Sequence, residues 1–236
     1  MRALNSKLTL SMIVRNESER YLPRVLASLK HMIDEAVIID DGSTDNTVNM
    51  VRDTLSGLPL RLVENQQSTF SNEVILRRQQ WEETIQTNPS WILNLDADEM
   101  FEDNFHEQLD DILKQQEHDA IYFRLYDMWN EKQYRSDSYW YAHQNYRPFL
   151  IRYREDMETK WRDTPQHCGR FPESINQLSY TCHSARIKHY GWARAEDRLA
   201  KYKRYMELDP DARYGWKEQY DSILDPSPTL VSWEDV

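Results

Sequence analysis

Glycine and cysteine are scarce in this sequence, with 5 Gly and 2 Cys among 236 residues. So few glycines, beside 9 Pro, exclude collagen-like chains and flexible-linker chains. No apolar run approaches the ~18 residues needed to span a bilayer, so no transmembrane segment is expected. The opening stretch MRALNSKLTLSMIVRNE holds an apolar segment too short and too interrupted for a secretory signal. The expectation is a cytoplasmic protein. Positive charge is also short: 29 Lys and Arg stand against 40 Asp and Glu, a formal net charge of −11. Sequence-independent nucleic-acid binding needs a basic footprint and is excluded as a partner class. With no export signal, Cys168 and Cys182 are not expected to form a disulfide. His167-Cys168 and Cys182-His183 have the composition of zinc ligands, but adjacent residues on a strand point to opposite faces. Both cysteines read as reduced, partly buried thiols.

What the sequence does contain is an aromatic-rich, foldable chain. Aromatics make up 12% of it, with 8 Trp and 14 Tyr, which a disordered chain would lack. The length suits one large domain. The acidic excess is one-sided. Residues 1–118 carry 11 Lys and Arg against 21 Asp and Glu, whereas residues 119–236 carry 18 against 19. An acidic half repels a phosphate-bearing ligand unless a cation or local Arg and Lys groups intervene.

The N-terminal half alternates strand and helix. Leu8 to Val14, Ala36 to Asp40, Leu60 to Glu64 and Trp91 to Leu95 read as strands, Ala36 to Asp40 being of the continuous apolar kind found in parallel sheets. Between them Leu22, Val25, Leu26 and Leu29 recur at helical spacing, with Ser18 or Asn16 as the cap. A second helix runs through Val48, Val51 and Leu55 behind Asp45. A third covers 71–87, stopped by Asn88-Pro89, and a fourth 105–116. This alternation implies a mostly parallel, twisted α/β sheet. From Ala120 the character changes to the strands AIYFRLYDMW, YRPFLIRY and CHSARIKHYGW, which read as a smaller antiparallel or mixed β extension. A helix follows over 194–208, then an irregular tail. The expected division is residues 1–118 as the ligand-binding α/β half, 119–192 as a β extension of the same domain, and 193–236 as a C-terminal helix and tail.

In an open parallel sheet, ligands bind outside the carboxyl ends of the strands. Arg15-Asn16-Glu17, Asp40-Asp41-Gly42-Ser43, residues 65–72 and Asp96-Ala97-Asp98-Glu99 all fall at such ends. Asp96 and Asp98 are carboxylates two apart, and they can face one point if the chain leaves the extended conformation there. Hard divalent ions such as Mg²⁺ or Mn²⁺ take carboxylate oxygens and keep positions open for phosphate.

Three segments together, SMIVRNES at 11–18, VIIDDGSTDNT at 37–47 and WILNLDADE at 91–99, resemble the family 2 glycosyltransferases, which have the nucleotide-sugar-binding GT-A fold. The resemblance is strongest over about residues 8–105 and continues more weakly through Trp192. It implies a metal-dependent, inverting, hexosyltransferase-like enzyme that moves a sugar from a nucleotide-sugar donor to a carbohydrate or other hydroxyl acceptor. It also implies roles. Arg15 and Asn16 belong to the base pocket, Asp41 reads the nucleobase, and Gly42 and Ser43 shape its turn. Asp96 lies near the ribose and metal, and Asp98 is the direct metal ligand. Family members often carry His-Glu on a later segment, with Glu as catalytic base. Here WRDTPQHCGRFPE has Cys168 after His167, so His167, Asp163 and Glu173 all stand as candidates for the base. IKHYGW resembles the segment that returns to the nucleotide, which makes His189 a candidate metal or diphosphate ligand. Arg194, Arg198, Lys201, Lys203 and Arg204 either fold over the diphosphate or form a solvated face, and Arg77 and Arg78 stand likewise.

From Trp129 to Tyr146, six of eighteen positions are Trp or Tyr. Sugar rings pack their C–H faces on such planes, so Trp129, Tyr139 and Trp140 are candidate acceptor residues. A β-extension core or a homodimer interface would use the same residues. Two rival functions carry less of the pattern. An aspartyl-nucleophile phosphatase wants Thr or Val where Met100 stands, with its DxD near the chain start. A non-catalytic sugar- or nucleotide-binding protein on the same scaffold would explain the Cys at 168.

Overall fold

In the computed structural model, which describes residues 6–235, the first half alternates strand and helix as its apolar spacing requires. Met1 to Asn5, the start of the stretch read above for a signal, and Val236 lie outside the described residues. The order is β1 (Leu8–Val14), α1 (Leu22–Leu29), β2 (Glu35–Asp40), α2 (Thr47–Thr54), β3 (Leu60–Glu64), α3 (Glu73–Ile85), β4 (Trp91–Asn94), β5 (Glu99–Phe101) and α4 (Phe105–Lys114). β1, β2 and β4 are buried along almost their whole length, which is why β2 reads as a continuous apolar run. α1 buries Leu22, Val25, Leu26 and Leu29, one stripe of a 3.6-residue helix, into the cluster that holds Leu10 and Met12.

The second half adds β6 (Ala120–Asp127), β7 (Gln133–Arg135), β8 (Tyr146–Arg152), β9 (Tyr180–His189), α5 (Ala195–Leu208), α6 (Lys217–Ser222) and β10 (Leu230–Ser232). One eight-stranded sheet has the order β3-β2-β1-β4-β8-β6-β9-β5, and β7 and β10 form a small antiparallel pair. β1 pairs in parallel with β2 and β4. β8 is antiparallel to both β4 and β6, so β6 points the same way as β4. β9 is parallel to β6. The carboxyl ends of β1, β2, β4, β6 and β9 therefore share one edge of the sheet. This is where the topology favours a ligand.

Local departures from the sequence reading have identifiable causes. Ser18 and Asn16 do not cap α1, whose N-cap Tyr21 makes no side-chain capping bond. Instead Ser18 Oγ donates to Asp45 (2.7 Å), and Asn16 Oδ1 accepts from the Thr44 N–H (2.7 Å). Asp45 accepts from the Thr47 N–H at the start of α2 (3.0 Å). The tail is not wholly irregular: Leu230–Ser232 pairs with Gln133–Arg135. β5 is only three residues long and follows the DADE turn directly, so no hydrophobic period announces it.

Cys168 is buried and Cys182 exposed, and both are free thiols. Cys168 packs with Trp81, Phe171 and Ile175. Burial, reinforced by Glu73, pushes its thiol up to about 12. Only the thiolate is nucleophilic, and a raised pKa lowers its population at any given pH. Iodoacetamide at pH 8 is therefore expected to alkylate Cys182 in the folded protein and spare Cys168 until denaturant is added. Peptide mass spectrometry reads both sites, and equal labelling of the native protein would contradict this packing.

Candidate active site

A cleft of about 940 Å³ opens over the carboxyl edge of the sheet. Arg15 and Asn16 border it just after β1, Asp96 and Asp98 from the turn after β4, Asp127 from β6 and His189 from β9. The opposite wall comes from α5 and the residues around α6, including Lys201, Tyr205, Trp216 and Tyr220.

Strand pairing assembles one end of the cleft. β5 sets Glu99 opposite His189, and the Tyr190 N–H donates to the Asp98 carbonyl (2.8 Å). The Asp98 carboxylate is thereby brought within 3.7 Å of His189 Nε2. On the other side β6 sets Asp127 opposite His189, and Asp127 Oδ1 lies 2.7 Å from His189 Nδ1. Burial works against charge on His189, but Asp98 and Asp127 outweigh it and raise the imidazole above its ordinary pKa. A carboxylate holding Nδ1 fixes the ring and leaves Nε2 to face the cleft, an arrangement suited to a metal-binding histidine. Gly191 keeps this corner open. A Cβ there would collide with Lys201 Nζ and Asp98 Oδ2 and lie 2.7 Å from His189 Nε2.

Among the described residues no three His, Cys, Asp or Glu side chains converge as a metal cage. Asp98 and His189 are two donors of the O and N type. They fit Mn²⁺ or Mg²⁺ in a site where substrate phosphate and water supply the remaining positions.

Asp96 is turned to other partners. Arg77 from α3 donates to its Oδ1 (3.0 Å), and Arg170 lies 3.8 Å from Oδ2. Burial opposes the charge on Asp96, yet Arg77 and Arg170 hold the carboxyl well below the usual range. Arg170 also makes a bidentate pair with Glu99 (2.8 and 2.8 Å), and Glu99 accepts from the Asp96 N–H (2.8 Å). The metal expectation for Asp96 therefore meets a carboxylate engaged by two guanidiniums. This network shapes the turn that presents Asp98.

At the other end, Asn16 has φ 53°, and its N–H donates to Ser43 Oγ (2.9 Å). This joins the end of β1 to the DGST loop. Asp41 is fully buried and lies outside the cleft lining, as do Gly42 and Ser43. The Asp41 carboxylate accepts from Ser68 Oγ (2.5 Å) and the Thr69 N–H (2.8 Å). Gly42 has φ 73°, and a Cβ there would lie 3.1 Å from the Ser68 nitrogen, so this turn and the 65–69 loop need each other's shape. Glu17, on the cleft wall, is pushed up to about 7 by burial against the pull of Arg20.

Of the three candidates for the base, His167 lines the cleft. Its Nε2 lies 3.3 Å from Tyr220 Oη, and its N–H donates to Glu73 (2.9 Å). Asp163 is 83% exposed and pairs with Arg78 at 3.5 Å, and Glu173 opens an exposed turn; neither borders the cleft. The aromatic stretch divides as well. Trp129 and Trp140 are buried with Trp192 and Ile223 in one cluster; Trp129 lies outside the cleft lining, Trp140 reaches it from within that cluster, and Tyr139 and Tyr141 border it beside Trp216.

The sequence model of glycosyl transferase family 2 matches residues 9–178, well over half of the chain. The chain belongs to this family. A TPR repeat-containing protein of Synechococcus elongatus is 35% identical over 97 residues, which cover 41% of this chain and 22% of that protein. An uncharacterized glycosyltransferase of Rickettsia bellii is 29% identical over 116 residues, 49% of this chain and 36% of that protein. The matched region is thus about a fifth to a third of these relatives' lengths. S. aureus TarS superposes with a TM-score of 0.57 over 92% of this chain and 42% of its own, at 16% identity. TarS 1–349 in complex with UDP gives 0.56 over 92% and 69%, at 17% identity. These likenesses establish the GT-A fold. Among the described residues no helix is long and apolar enough to cross a membrane.

The family match ends at residue 178, so His189, Gly191 and all of α5 and α6 lie beyond it. Sequence reasoning passed over Asp127 and Arg170, and it placed Glu99 at a strand end without giving it a role. Asp127 had a signal, a carboxylate closing an apolar strand. Arg170 had none, because its partners are 71 and 74 residues away.

Proposed function

We propose that this chain is the catalytic unit of an inverting, metal-dependent glycosyltransferase acting on a nucleotide-sugar donor and a hydroxyl acceptor. The observation that carries the reading is the Asp98–His189–Asp127 array at the sheet's carboxyl edge, in one cleft with the end of β1. Arg15 and Asn16 face the nucleotide, and Asp41 holds the 65–69 loop that leads into Phe70 on the cleft wall. Asp98 and His189 would hold Mn²⁺ or Mg²⁺, which when bound offsets the charge building on the leaving diphosphate. Asp127 keeps His189 in the orienting tautomer. Arg77 and Arg170, through Asp96 and Glu99, fix the turn carrying Asp98. His167 accepts the proton of the acceptor hydroxyl as that oxygen attacks the anomeric carbon. The bond from that carbon to the diphosphate oxygen breaks, and its electron pair leaves with the diphosphate. Attack from the opposite face inverts the anomeric centre. Tyr139, Tyr141 and Trp216 offer ring faces to a carbohydrate acceptor. The division of labour follows the chain in part: residues 1–118 supply Arg15, Asn16 and Asp98 to the donor, 119–192 form the acceptor side and lend Asp127, Arg170 and His189 to the donor, and the C-terminal segment covers the cleft.

TarS 1–349 has crystal structures with UDP and with UDP-GlcNAc, so uridine donors head the panel to test. Incubating the protein with UDP-, GDP- and TDP-sugars and Mn²⁺ is expected to release one nucleoside diphosphate slowly into water, and EDTA is expected to stop it. Tight binding without release, with or without sugar acceptors, would mean a binding protein instead. Binding of none would overturn the donor reading.

A further inference from the structure

Five basic residues at the start of and along α5 share a short segment, and their placement separates them. Arg194 donates to the Glu19 carbonyl (3.3 Å) and lies over Tyr21. Arg198 donates to the Trp192 and Trp129 carbonyls (2.5 and 3.1 Å). Lys203 is exposed. Arg204 packs over Phe70 and Tyr205. Lys201 differs from all of them. Its side chain is only 16% exposed, and Nζ lies 3.7 Å from Asp98 Oδ2 and 4.4 Å from the centre of the Trp192 ring. The Asp98 distance is too long for a hydrogen bond, and Nζ has no hydrogen-bond partner among the described residues. The missing Cβ of Gly191 makes the room that this ammonium occupies.

An ammonium at the cleft wall that has an ion pair but no hydrogen-bonded acceptor can give its three N–H donors to an anion entering the cleft. The groups around it are acidic: Asp98, Asp127 and Glu17 all feel its charge or lend theirs. A diphosphate entering such a corner needs more positive charge than one divalent ion supplies. We propose that Lys201 binds the diphosphate of the donor beside the ion held by Asp98 and His189, and that in the free protein its ammonium is the counter-charge of Asp98. This rests on the donor reading above. When ion and donor arrive, Asp98 turns its charge to the ion and Lys201 gives its donors to a phosphate oxygen. The flexible four-carbon stem allows that shift, which a planar guanidinium would make less readily.

Calorimetric titration tests this in two steps. Wild-type protein with Mn²⁺ is titrated with UDP, GDP, ADP, CDP and TDP to find the diphosphate it binds. That diphosphate and its parent nucleoside are then titrated into Lys201→Met, with Lys201→Gln as the alternative if Lys201→Met fails to fold. At least a tenfold loss is expected for the diphosphate and less than a twofold change for the nucleoside, with Lys201→Arg recovering part of the loss. Mn²⁺ alone, followed by electron paramagnetic resonance, is expected to bind the neutral variant more tightly than wild type because a competing cation is gone. Unchanged diphosphate affinity, an equal loss on the nucleoside, or weaker Mn²⁺ binding in the folded variant would overturn the proposal. Failure of wild type to bind any diphosphate would remove the donor reading itself, and this proposal with it.

Discussion

Asp98→Ala is expected to reduce nucleoside diphosphate binding in Mn²⁺ to the level seen in EDTA, while the protein stays folded. The loss should exceed that of Asp127→Asn, which removes a partner of the ligand rather than a ligand; outer partners are worth about 10–100-fold in metal affinity. Folding should survive because the Asp98 side chain does little for the fold. Its two ion pairs, to His189 and Lys201, are both 3.7 Å long and neither is a hydrogen bond, and both partners line the cleft, where water can take the place of the carboxylate. Asp96→Ala is the instructive contrast. It strips a carboxylate from Arg77, 9% exposed, and from Arg170, 16% exposed, so it should lower the melting temperature before any binding is measured. Titration of both variants at matched fraction folded checks the pair. Metal-dependent diphosphate affinity that survives in folded Asp98→Ala would falsify the assignment of Asp98.

How much of this was legible in the sequence follows from which interactions are local. The strands β1 to β4 could be read to within one residue at each end, and the stripe of α1, Leu22, Val25, Leu26 and Leu29, could be read in full. The carboxyl-edge location of Asp96 and Asp98 followed from the strands. Their separate fates did not. Two carboxylates two residues apart look equivalent in sequence, and only Arg77, 19 positions back, and Arg170, 74 positions on, make them different. Asp98 meets His189 because β5 pairs with β9, and β5 has three residues and no pattern of its own. The same limit applies to the C-terminal segment. α6 lacks an apolar stripe in sequence, yet it closes the cleft because Ser222 and Ile223 dock on tryptophans more than 80 residues earlier. The DGST loop shows a subtler case. Asp41 stands at a strand end, as a ligand-reading residue would, but buried hydrogen bonds to Ser68 and Thr69 occupy it. Its position told where it lies and not what it faces.

Trp140→Ala is expected to cost about 3–5 kcal/mol of stability, whereas Trp216→Ala should cost little. For a chain of this size that loss lowers the melting temperature by roughly 6–20 °C. Trp140 is 2% exposed. Its ring meets Trp129 and Trp192, each at 4.8 Å, and its indole N–H donates to Ser222 Oγ (2.8 Å). Removing it opens a cavity among three large side chains and frees α6 from the β extension. Buried Arg135, 5.3 Å from the same ring, would lose a face it packs on. Trp216 is 37% exposed, and among the described residues its ring meets other rings only at the edges of Tyr139 (5.3 Å) and Tyr141 (6.3 Å). A ring held that way can lie against a sugar without anchoring the fold. Trp216→Ala should therefore keep the wild-type melt and donor hydrolysis and lose transfer to a carbohydrate acceptor. Differential scanning calorimetry with parallel hydrolysis and transfer assays separates the two tryptophans. A melt for Trp140→Ala within 2 °C of wild type, a threshold set at roughly 1 kcal/mol, would show that this indole does not anchor the fold.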